Sequence, residues 1–266
     1  MTKKYLVIGN PIDHSLSPEL HNYWFKNNKI DAVYEKKEIN KNEIEELITK
    51  IRKKEINGIN VTVPFKNLVV PFLDRLTPEA DITKSVNTIS LENDGVVGYN
   101  TDIAGFELAI RYKKYDVNNK KILIIGAGGV VPSIIYSLKK MSPNKIFLMN
   151  RTKDKAENIK KQFKEIEILN WNQTYDMDMI INATSVGLNE TEKLEIDLGK
   201  FGKNKFFYDV IYKPKETLFL KEAKKLGNIA ENGKLMFVYQ AFEAFKLWHG
   251  IEPAINSETL EILNND

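Results

Sequence analysis

Two residues in the first half of the chain, Lys66 and Asp102, are of types that can move a proton to or from a substrate oxygen. Lys66 ends the run 57–66 (NGINVTVPFK), in which a strand-like stretch delivers polar side chains to one end, and Asp102 ends the run 98–102 (GYNTD). A positioned ammonium stabilises negative charge that develops on oxygen and can deliver a proton. A lysine after a strand is more often a surface charge, and an aspartate before a helix often caps it. Neither cluster therefore decides the chemistry alone.

Small polar side chains accompany this pair. Ser15 and Ser17 stand just before a helix that Pro18 can begin. Hydroxyl groups beside a helix N-terminus can bind a carboxylate, although ordinary N-capping by Ser17 is the alternative interpretation. Thr62 shares a strand face with Asn60 by alternation, and residues 85–88 contribute Asn87. Polar side chains at strand ends are typical of ligand sites in open α/β sheets.

The strongest local motif is a glycine-rich turn between a predicted strand and a predicted helix. Residues 120–125 (KKILII) run into Gly126-Ala127-Gly128-Gly129, and Val130 leads into the helical pattern. Glycines let the backbone turn tightly and approach a pyrophosphate, which then rests on the helix N-terminus. The motif predicts a dinucleotide site. Val131 fills the third small position of the motif, so we expect the helix to start slightly farther from the strand.

The end of the next predicted strand distinguishes NAD from NADP. NAD-selective sites carry an acidic residue there, which holds the ribose 2′-hydroxyl. This chain instead has Asn150-Arg151-Thr152, with Lys155 one turn later. A guanidinium can hold a 2′-phosphate through paired hydrogen bonds, so the sequence predicts NADP. An exposed charge without a ligand is the alternative for Arg151.

Alternating strands and helices must position these residues. The apolar runs typical of strands are residues 5–8, 59–63, 122–125, 146–149, 179–181 and 206–210, and amphipathic helical patterns cover 41–54, 134–141 and 156–163. Asn40, with Glu43 three residues on, is placed to cap the first of these helices. Near-continuous apolar strands between helices indicate a parallel sheet covered on both faces. Residues 87–91 and 96–99 break this rhythm as a predicted hairpin, and a helix over 102–114 follows. The aromatic-rich helix 235–249 is expected to be buried.

Composition excludes several classes of protein. Apolar residues make up 42% of the 266 residues, which is enough for a packed core. Lys and Arg number 39 against 36 Asp and Glu, for a net charge of +3, and the basic residues alternate with acids as on a solvated surface. This near balance of basic and acidic residues argues against a nucleic-acid partner. The chain has no Cys, which excludes disulfides and thiolate chemistry.

No apolar run is long enough for a membrane span or for the core of a signal peptide, so we expect a cytoplasmic protein that does not bind membranes. His14, His21 and His249 lack the spacing of metal pairs, and helix-start packing and hydrogen bonding explain the first two better. We therefore expect no metal. A monomer and a homodimer are equally compatible with the sequence.

Taken together, the polar clusters and the glycine turn closely resemble the shikimate dehydrogenase family. The matching motifs follow the family's order: 10–22 (NPIDHSLSPELHN), 57–66 (NGINVTVPFK), 87–88 (NT), 98–105 (GYNTDIAG), 126–129 (GAGG), 150–152 (NRT), 182–187 (NATSVG), 208–214 (YDVIYKP) and 240–241 (QA). Departures lie mainly where Val130, Val131 and Pro132 replace smaller residues at the helix start.

The resemblance implies a two-domain α/β enzyme that interconverts 3-dehydroshikimate and shikimate with NADP(H), at a site in the cleft between its domains. It implies a substrate domain of residues 1–101 plus 236–266 and a Rossmann-type, doubly wound NADP domain of residues 102–235. Lys66 would transfer the proton, with Asp102 as its partner on the substrate hydroxyl. The implied substrate-binding residues are Ser15 and Ser17 for the carboxylate, and Thr62, Asn87, Tyr212 and Gln240 for the hydroxyls or ring. The implied cofactor-binding residues are Gly126, Ala127, Gly128, Gly129, Val130, Asn150, Arg151, Thr152 and Lys155, with Val210 and Gly233 at the nicotinamide end.

Two other functions are compatible with the same motifs. A quinate/shikimate dehydrogenase would use both NAD and NADP and would accept a ring with one more hydroxyl, whereas Arg151 and Thr152 favour NADP alone. A non-catalytic NADP-binding regulator on the same fold would be expected to lose its reacting residues first, and this chain retains both Lys66 and Asp102.

Overall fold

A computed structural model describes residues 2–173 and 176–263. The chain divides into two compact units, the first comprising Met1–Gly105 with Val238–Asp266 and the second Phe106–Phe237. The chain passes from one unit to the other inside two helices, α4 (Thr101–Tyr112) and α8 (Lys234–His249).

The first unit is built on a six-stranded mixed sheet. Its strands are β1 (Lys3–Gly9), β2 (Ala32–Glu38), β3 (Gly58–Val61), β4 (Arg75–Leu76), β5 (Thr88–Glu92) and β6 (Gly95–Tyr99), in the spatial order β2-β1-β3-β5-β6-β4. Its remaining helices are α1 (Ser17–Asn27), α2 (Ile44–Arg52), α3 (Pro78–Thr83) and α9 (Ser257–Ile262), with 3-10 turns at Lys41–Glu43 and Val70–Phe72. β1 pairs in parallel with β2 and β3, whereas β5 is antiparallel to both β3 and β6.

The second unit has a six-stranded sheet in which every pairing is parallel. Its strands are β7 (Lys121–Ile125), β8 (Lys145–Met149), β9 (Glu167–Leu169), β10 (Met179–Asn182), β11 (Phe206–Asp209) and β12 (Ile229–Glu231). The helices that lie wholly within this unit are α5 (Val131–Lys140), α6 (Lys153–Gln162) and α7 (Leu218–Lys225), and a 3-10 turn covers Leu198–Phe201. The order β12-β11-β10-β7-β8-β9 is that of a doubly wound dinucleotide fold, with the switch point between β7 and β10.

The predicted hairpin and the predicted strands are confirmed within one to two residues at most ends, and the hairpin makes the first sheet mixed rather than parallel throughout. β5 and β6 are antiparallel because a two-residue turn cannot connect parallel neighbours, and β5 also pairs with β3 in the antiparallel sense. The sequence patterns also missed β2, β4, β9 and β12, which lie at sheet edges. The helix predicted over 41–54 starts as a 3-10 turn, and Glu43 Oε2 accepts the Asn40 backbone N–H at 2.8 Å as the capping motif predicts.

The cores follow the hydrophobic pattern of the sequence. In α2 the residues Ile44, Leu47, Ile48 and Ile51 are each at most 2% exposed and form one apolar face. Each such side chain contributes roughly 1.5–3 kcal/mol through burial. In α8, the helix expected to be buried, Phe245 is fully buried, while other aromatics such as Trp248 remain partly exposed.

No helix among residues 2–173 and 176–263 combines the length and the apolar character needed to cross a membrane. The same residues hold no group of three or more His, Asp or Glu side chains placed to share a metal ion.

His21 occupies an apolar site in the first unit. Its ring is fully buried and stacks on Tyr34 at 4.3 Å between ring centroids, with Trp24 and Trp248 also in contact. The expected hydrogen bonding of His21 was wrong, because neither ring nitrogen has a partner within the described part of the chain. Burial, with a smaller effect of His249, lowers the pKa of His21 to about 3.

We expect this neutral, buried imidazole to make the fold acid-sensitive. The unfolded chain binds a proton at His21 below about pH 6.5, whereas the folded chain does so only near pH 3, so stability falls as the pH drops below 6.5. Between pH 7 and 4.5 the loss from this group is about 2–3 kcal/mol. His21→Phe should abolish that part of the loss in denaturant titrations at the two pH values. The exposed His14, replaced by Gln, is the control and should behave as wild type. Equal acid sensitivity of His21→Phe and wild type would contradict the assignment.

Candidate active site

Lys66 and Asp102 form an ion pair in the first unit. Lys66 follows β3 after a short loop, and Asp102 lies in the first turn of α4. The Lys66 Nζ donates to Asp102 Oδ2 at 2.5 Å, and the two side chains are 12% and 7% exposed. The second oxygen of Asp102, Oδ1, accepts from Asn87 Nδ2 at 3.0 Å. Both carboxylate oxygens therefore bind side chains, and the pair leaves an ammonium with donors to spare beside a held carboxylate.

Asn87 connects this pair to a second helix. Its Oδ1 accepts the backbone N–H of Thr101 at 2.7 Å, and its Nδ2 donates to Asp102 and, at 3.4 Å, to Gln240 Oε1 on α8. Because a backbone N–H can only donate, the Asn87 amide must present its NH2 group to Asp102. Four residues predicted from the sequence, Lys66, Asn87, Asp102 and Gln240, are thus joined by hydrogen bonds.

A buried polar chain extends from Asn87 toward α1. Thr88 Oγ1 contacts Asn87 Oδ1 at 3.2 Å and accepts from Asn60 Nδ2 at 2.9 Å. Asn60 Oδ1 in turn accepts the Tyr34 hydroxyl at 2.6 Å. Burial raises the pKa of Tyr34 well above its usual range, while a hydrogen bond with Ser17 opposes the shift. Fully bonded buried networks of this kind hold their members in single orientations.

The other predicted residues of the first unit lie at the ends of β1 and β3. Ser17 is the first residue of α1 and is buried, and its backbone N–H points to Ser15 Oγ at 3.4 Å. The residue before α1 is Leu16, so Ser17 does not act as the N-cap. β3 ends at Val61, so strand alternation no longer governs Thr62, which is half-buried and has no side-chain hydrogen bond to the Lys66 network within the described ranges.

The glycine turn of the second unit fits a dinucleotide pyrophosphate. Gly126 has a φ of +115°, and a Cβ there would lie 2.7 Å from the Ala183 carbonyl oxygen, so only glycine fits. Gly128 and Gly129 are exposed, and α5 begins at Val131, just beyond Val130. An open glycine surface followed by a ten-residue helix provides backbone donors and the positive end of a helix dipole to an anion. Ala127, between these glycines, is partly exposed.

The segment after β8 carries the residues expected at the 2′-phosphate. The Asn150 Nδ2 donates to the Thr152 carbonyl at 2.7 Å, which closes the turn before α6. Arg151, Thr152 and Lys155 are all exposed, and within residues 2–173 and 176–263 Arg151 makes no ion pair. Two cations with free donors at this strand end can receive a phosphate.

Val210, Tyr212 and Gly233 lie together in the second unit, beyond β11. A Cβ on Gly233 would lie 2.1 Å from the Val210 carbonyl oxygen, so the close approach of these two segments requires glycine. The Tyr212 ring packs against Phe237, with centroids 4.4 Å apart.

Sequence reasoning did not select Thr88, Thr101 or Asp209 as site residues. Thr88 and Thr101 sit beside predicted residues within matched motifs, and both are buried polar residues. The available signal was a threonine next to a functional Asn or Asp, but threonines at strand ends are common, and only the packing shows which of them bond to the site.

Family models cover most of the chain. Residues 7–89 match the shikimate dehydrogenase substrate binding domain, residues 107–210 match shikimate/quinate 5-dehydrogenase, and residues 235–256 match the shikimate 5′-dehydrogenase C-terminal domain. A protein of Pelagibacter ubique named shikimate dehydrogenase (NADP(+)) is 57% identical over 264 residues, which cover 99% of this chain and 100% of that protein.

Solved structures agree with the sequence matches. The shikimate dehydrogenase of Aquifex aeolicus is 37% identical, with a TM-score of 0.91 over 100% of this chain and 98% of its own. The shikimate 5-dehydrogenase of Thermus thermophilus, solved in complex with NADP(H) and shikimate, is 27% identical, with a TM-score of 0.90 over 99% of both chains.

Proposed function

The chain belongs to the shikimate dehydrogenase family, and from that premise we propose that it reduces 3-dehydroshikimate reversibly to shikimate with NADP(H). The observation that carries the proposal is the buried Lys66–Asp102 pair at 2.5 Å, bonded to Asn87. A regulator without chemistry has no need of an ammonium and a carboxylate held together out of water, since desolvating such a pair costs free energy.

The proposed mechanism uses Lys66 as the proton donor. When bound, NADPH supplies the hydride that reduces the ketone carbon. Lys66 faces the ketone oxygen, stabilises the negative charge that develops there and passes its proton to it, which leaves the alcohol. In the reverse direction the neutral amine takes the proton back. Asp102 accepts hydrogen bonds from Lys66 and from Asn87. In the proposed mechanism it therefore orients the ammonium and accepts a hydrogen bond from the substrate hydroxyl.

Substrate binding is assigned to residues of both chain halves. We assign the carboxylate of the substrate to Ser15 and Ser17, and the ring and hydroxyls to Thr62, Asn87, Tyr212 and Gln240. Support comes from the position of the two serines at the start of α1, where hydroxyls and backbone donors favour an anion. The functional domains on this proposal are residues 1–101 with 236–266 and residues 102–235.

The cofactor would be held by the second unit. The glycine turn 126–129 with Val130 would receive the pyrophosphate, and Asn150 to Thr152 with Lys155 the 2′-phosphate. Val210 and Gly233 would contact the nicotinamide end. The exposed Arg151 supports NADP rather than NAD, because no acidic residue occupies this strand end.

The direct test mixes the protein with shikimate and NADP⁺ and follows absorbance of the reduced nicotinamide. Parallel assays with quinate and with NAD⁺ separate the two enzyme alternatives. The proposal is supported if shikimate with NADP⁺ is the only combination that is turned over. Turnover of quinate with NAD⁺ at a rate equal to that of shikimate with NADP⁺ would favour the dual-cofactor dehydrogenase. Absence of any turnover would leave only a binding protein. Size-exclusion chromatography with light scattering decides between monomer and homodimer.

We expect Gln240→Ala to raise KM for shikimate several-fold and to change kcat little. Gln240 accepts a long hydrogen bond from Asn87, the residue that holds Asp102, and it carries an amide that does not titrate, so it is placed to position substrate rather than to move a proton. Steady-state kinetics with saturating NADP⁺ measure both constants. A loss confined to kcat would contradict this role.

A further inference from the structure

Asp209 is a buried carboxylate that the proposed mechanism does not use. It ends β11 and is fully buried. Within the described parts of the chain its hydrogen bonds come from neutral donors and none from Lys or Arg. Desolvation raises the pKa of Asp209 to about 6, despite these hydrogen bonds. A buried carboxylate without a cation is costly, so its presence calls for a physical reason.

The three donors to Asp209 belong to three separate segments. Thr217 Oγ1 donates to Oδ2 at 2.6 Å from the N-cap of α7. The backbone N–H of Ile211 donates to Oδ1 at 3.0 Å from the segment after β11. Asn182 Nδ2 donates to Oδ1 at 3.1 Å from the end of β10. One carboxylate thus ties together the segments that leave two neighbouring strands and the start of a helix.

Asn182 extends this connection toward the glycine turn. Its Oδ1 accepts from the backbone N–H of Thr184 at 3.1 Å and from the Thr184 hydroxyl at 2.7 Å. The carbonyl of Ala183, between them, is the group that a Cβ on Gly126 would approach to 2.7 Å. The segment that Asp209 holds through Asn182 therefore forms the packing surface of the glycine turn.

Asp209 also precedes the segment that carries Val210. The Val210 backbone N–H donates to the Asn182 carbonyl at 3.0 Å, and the Gly233 N–H donates to the Ile211 carbonyl at 3.0 Å. Val210 and Gly233 are packed too closely for any side chain at Gly233. The position of the segment after β11 therefore depends on two hydrogen bonds that Asp209 accepts, one from Ile211 two residues later and one from Asn182.

We propose that Asp209 is a positioning residue for NADP, one that holds the segments after β10 and β11 in the arrangement that receives the cofactor. This inference rests on the proposed function, because it takes the carboxyl ends of these strands as the cofactor site. The carboxylate accepts three bonds at once from diverging segments, which a hydroxyl or an apolar side chain at this position cannot do.

The test compares Asp209→Ala with Asp209→Asn by calorimetric titration of NADP⁺. Alanine removes all three acceptor bonds and should raise Kd about tenfold or more. Asparagine keeps Oδ1 as the acceptor for Ile211 and Asn182, and its NH2 can donate to Thr217 Oγ1, so Kd should rise no more than about threefold. Hydrogen exchange of the Ile211 amide should accelerate in the alanine variant and remain near wild type in the asparagine variant.

Thr217→Val provides a second variant that keeps side-chain volume and removes the 2.6 Å donor to Asp209, together with the 3.4 Å N-cap bond from the Leu220 backbone N–H. Its matched control is Thr259→Val, since Thr259 is likewise fully buried at a helix start and has a bonded hydroxyl, but lies in the first unit. Both variants should lose stability, and only Thr217→Val should raise Kd for NADP⁺ several-fold. If Asp209→Ala fails to fold, the comparison of the two threonine variants decides.

The proposal is overturned if Asp209→Ala binds NADP⁺ within about twofold of wild type, or if asparagine is as damaging as alanine, since charge rather than geometry would then matter. Equal Kd values for the two threonine variants would also overturn it. Failure of the proposed function is a different result: wild-type protein would then neither bind NADP⁺ nor oxidise shikimate.

Discussion

Replacing Lys66 with alanine is expected to lower kcat for shikimate oxidation by about 10²–10⁴-fold while KM for shikimate changes little. The variant loses the only ammonium hydrogen bonded to Asp102 within the described ranges, and with it the amine that takes the proton from the substrate hydroxyl during oxidation. The substrate-binding residues are untouched, so ground-state binding should persist. Steady-state kinetics over a range of shikimate concentrations measure the two constants separately.

Two further variants test whether the loss of kcat comes from the missing ammonium of Lys66. Lys66→Met fills the volume of the lysine stem without the charge and guards against a cavity effect, and it should match the alanine variant in kcat. Lys84→Ala is the control, because Lys84 also pairs with an aspartate, Asp81, at 2.5 Å but is 64% exposed. The control should retain wild-type kcat. A Lys66→Ala enzyme with near-normal turnover would show that another group moves the proton.

Replacing Arg151 with alanine is expected to raise KM for NADPH about 10–100-fold and to leave KM for NADH nearly unchanged. Paired hydrogen bonds from a guanidinium to a phosphate are charge-assisted and are lost together. NADH has no 2′-phosphate, so its binding should not depend on them. The exposed position of Arg151, without a protein carboxylate as partner in the described residues, leaves its donors available.

The matched control is Arg111→Ala. Arg111 is an arginine of the same unit whose side chain is 64% exposed, but it pairs with Glu107. Its removal should change neither KM. The decisive quantity is the ratio of KM for NADPH to KM for NADH in each variant, measured at saturating 3-dehydroshikimate. If Arg151→Ala weakens NADPH and NADH equally, Arg151 does not contact the 2′-phosphate.

The four central strands of the parallel sheet in the second unit were readable from the sequence. The apolar run 122–125 is buried on both faces, and the runs 122–125 and 146–149 are each followed by a helical pattern, so local periodicity and burial point to the same structure. The glycine turn was readable for a similar reason. A φ of +115° at Gly126 and contact with Ala183 admit no other residue, so the constraint appears directly in the residue type.

The edge strands and the polar networks were not readable in this way. β2 (AVYEKKE) carries charged residues because one side of it has no neighbouring strand, so its pattern does not differ from that of a surface loop. Asn60, Thr88 and Asp209 are polar residues whose partners lie up to 28 positions away. Their burial depends on which strands become neighbours, which sequence spacing does not encode.

The sequence by itself determined the residue types that the chemistry needs, the order of the central strands along the chain and the turns where only glycine fits, because these depend on local sterics and on the hydrophobic period. Only the tertiary structure decided that the Lys66 ammonium and the Asp102 carboxylate lie 2.5 Å apart and that Asn87 holds the carboxylate from its other side. It also decided that Asp209 joins three segments. These contacts arise when the strands pair, since pairing brings together side chains that the chain itself keeps far apart.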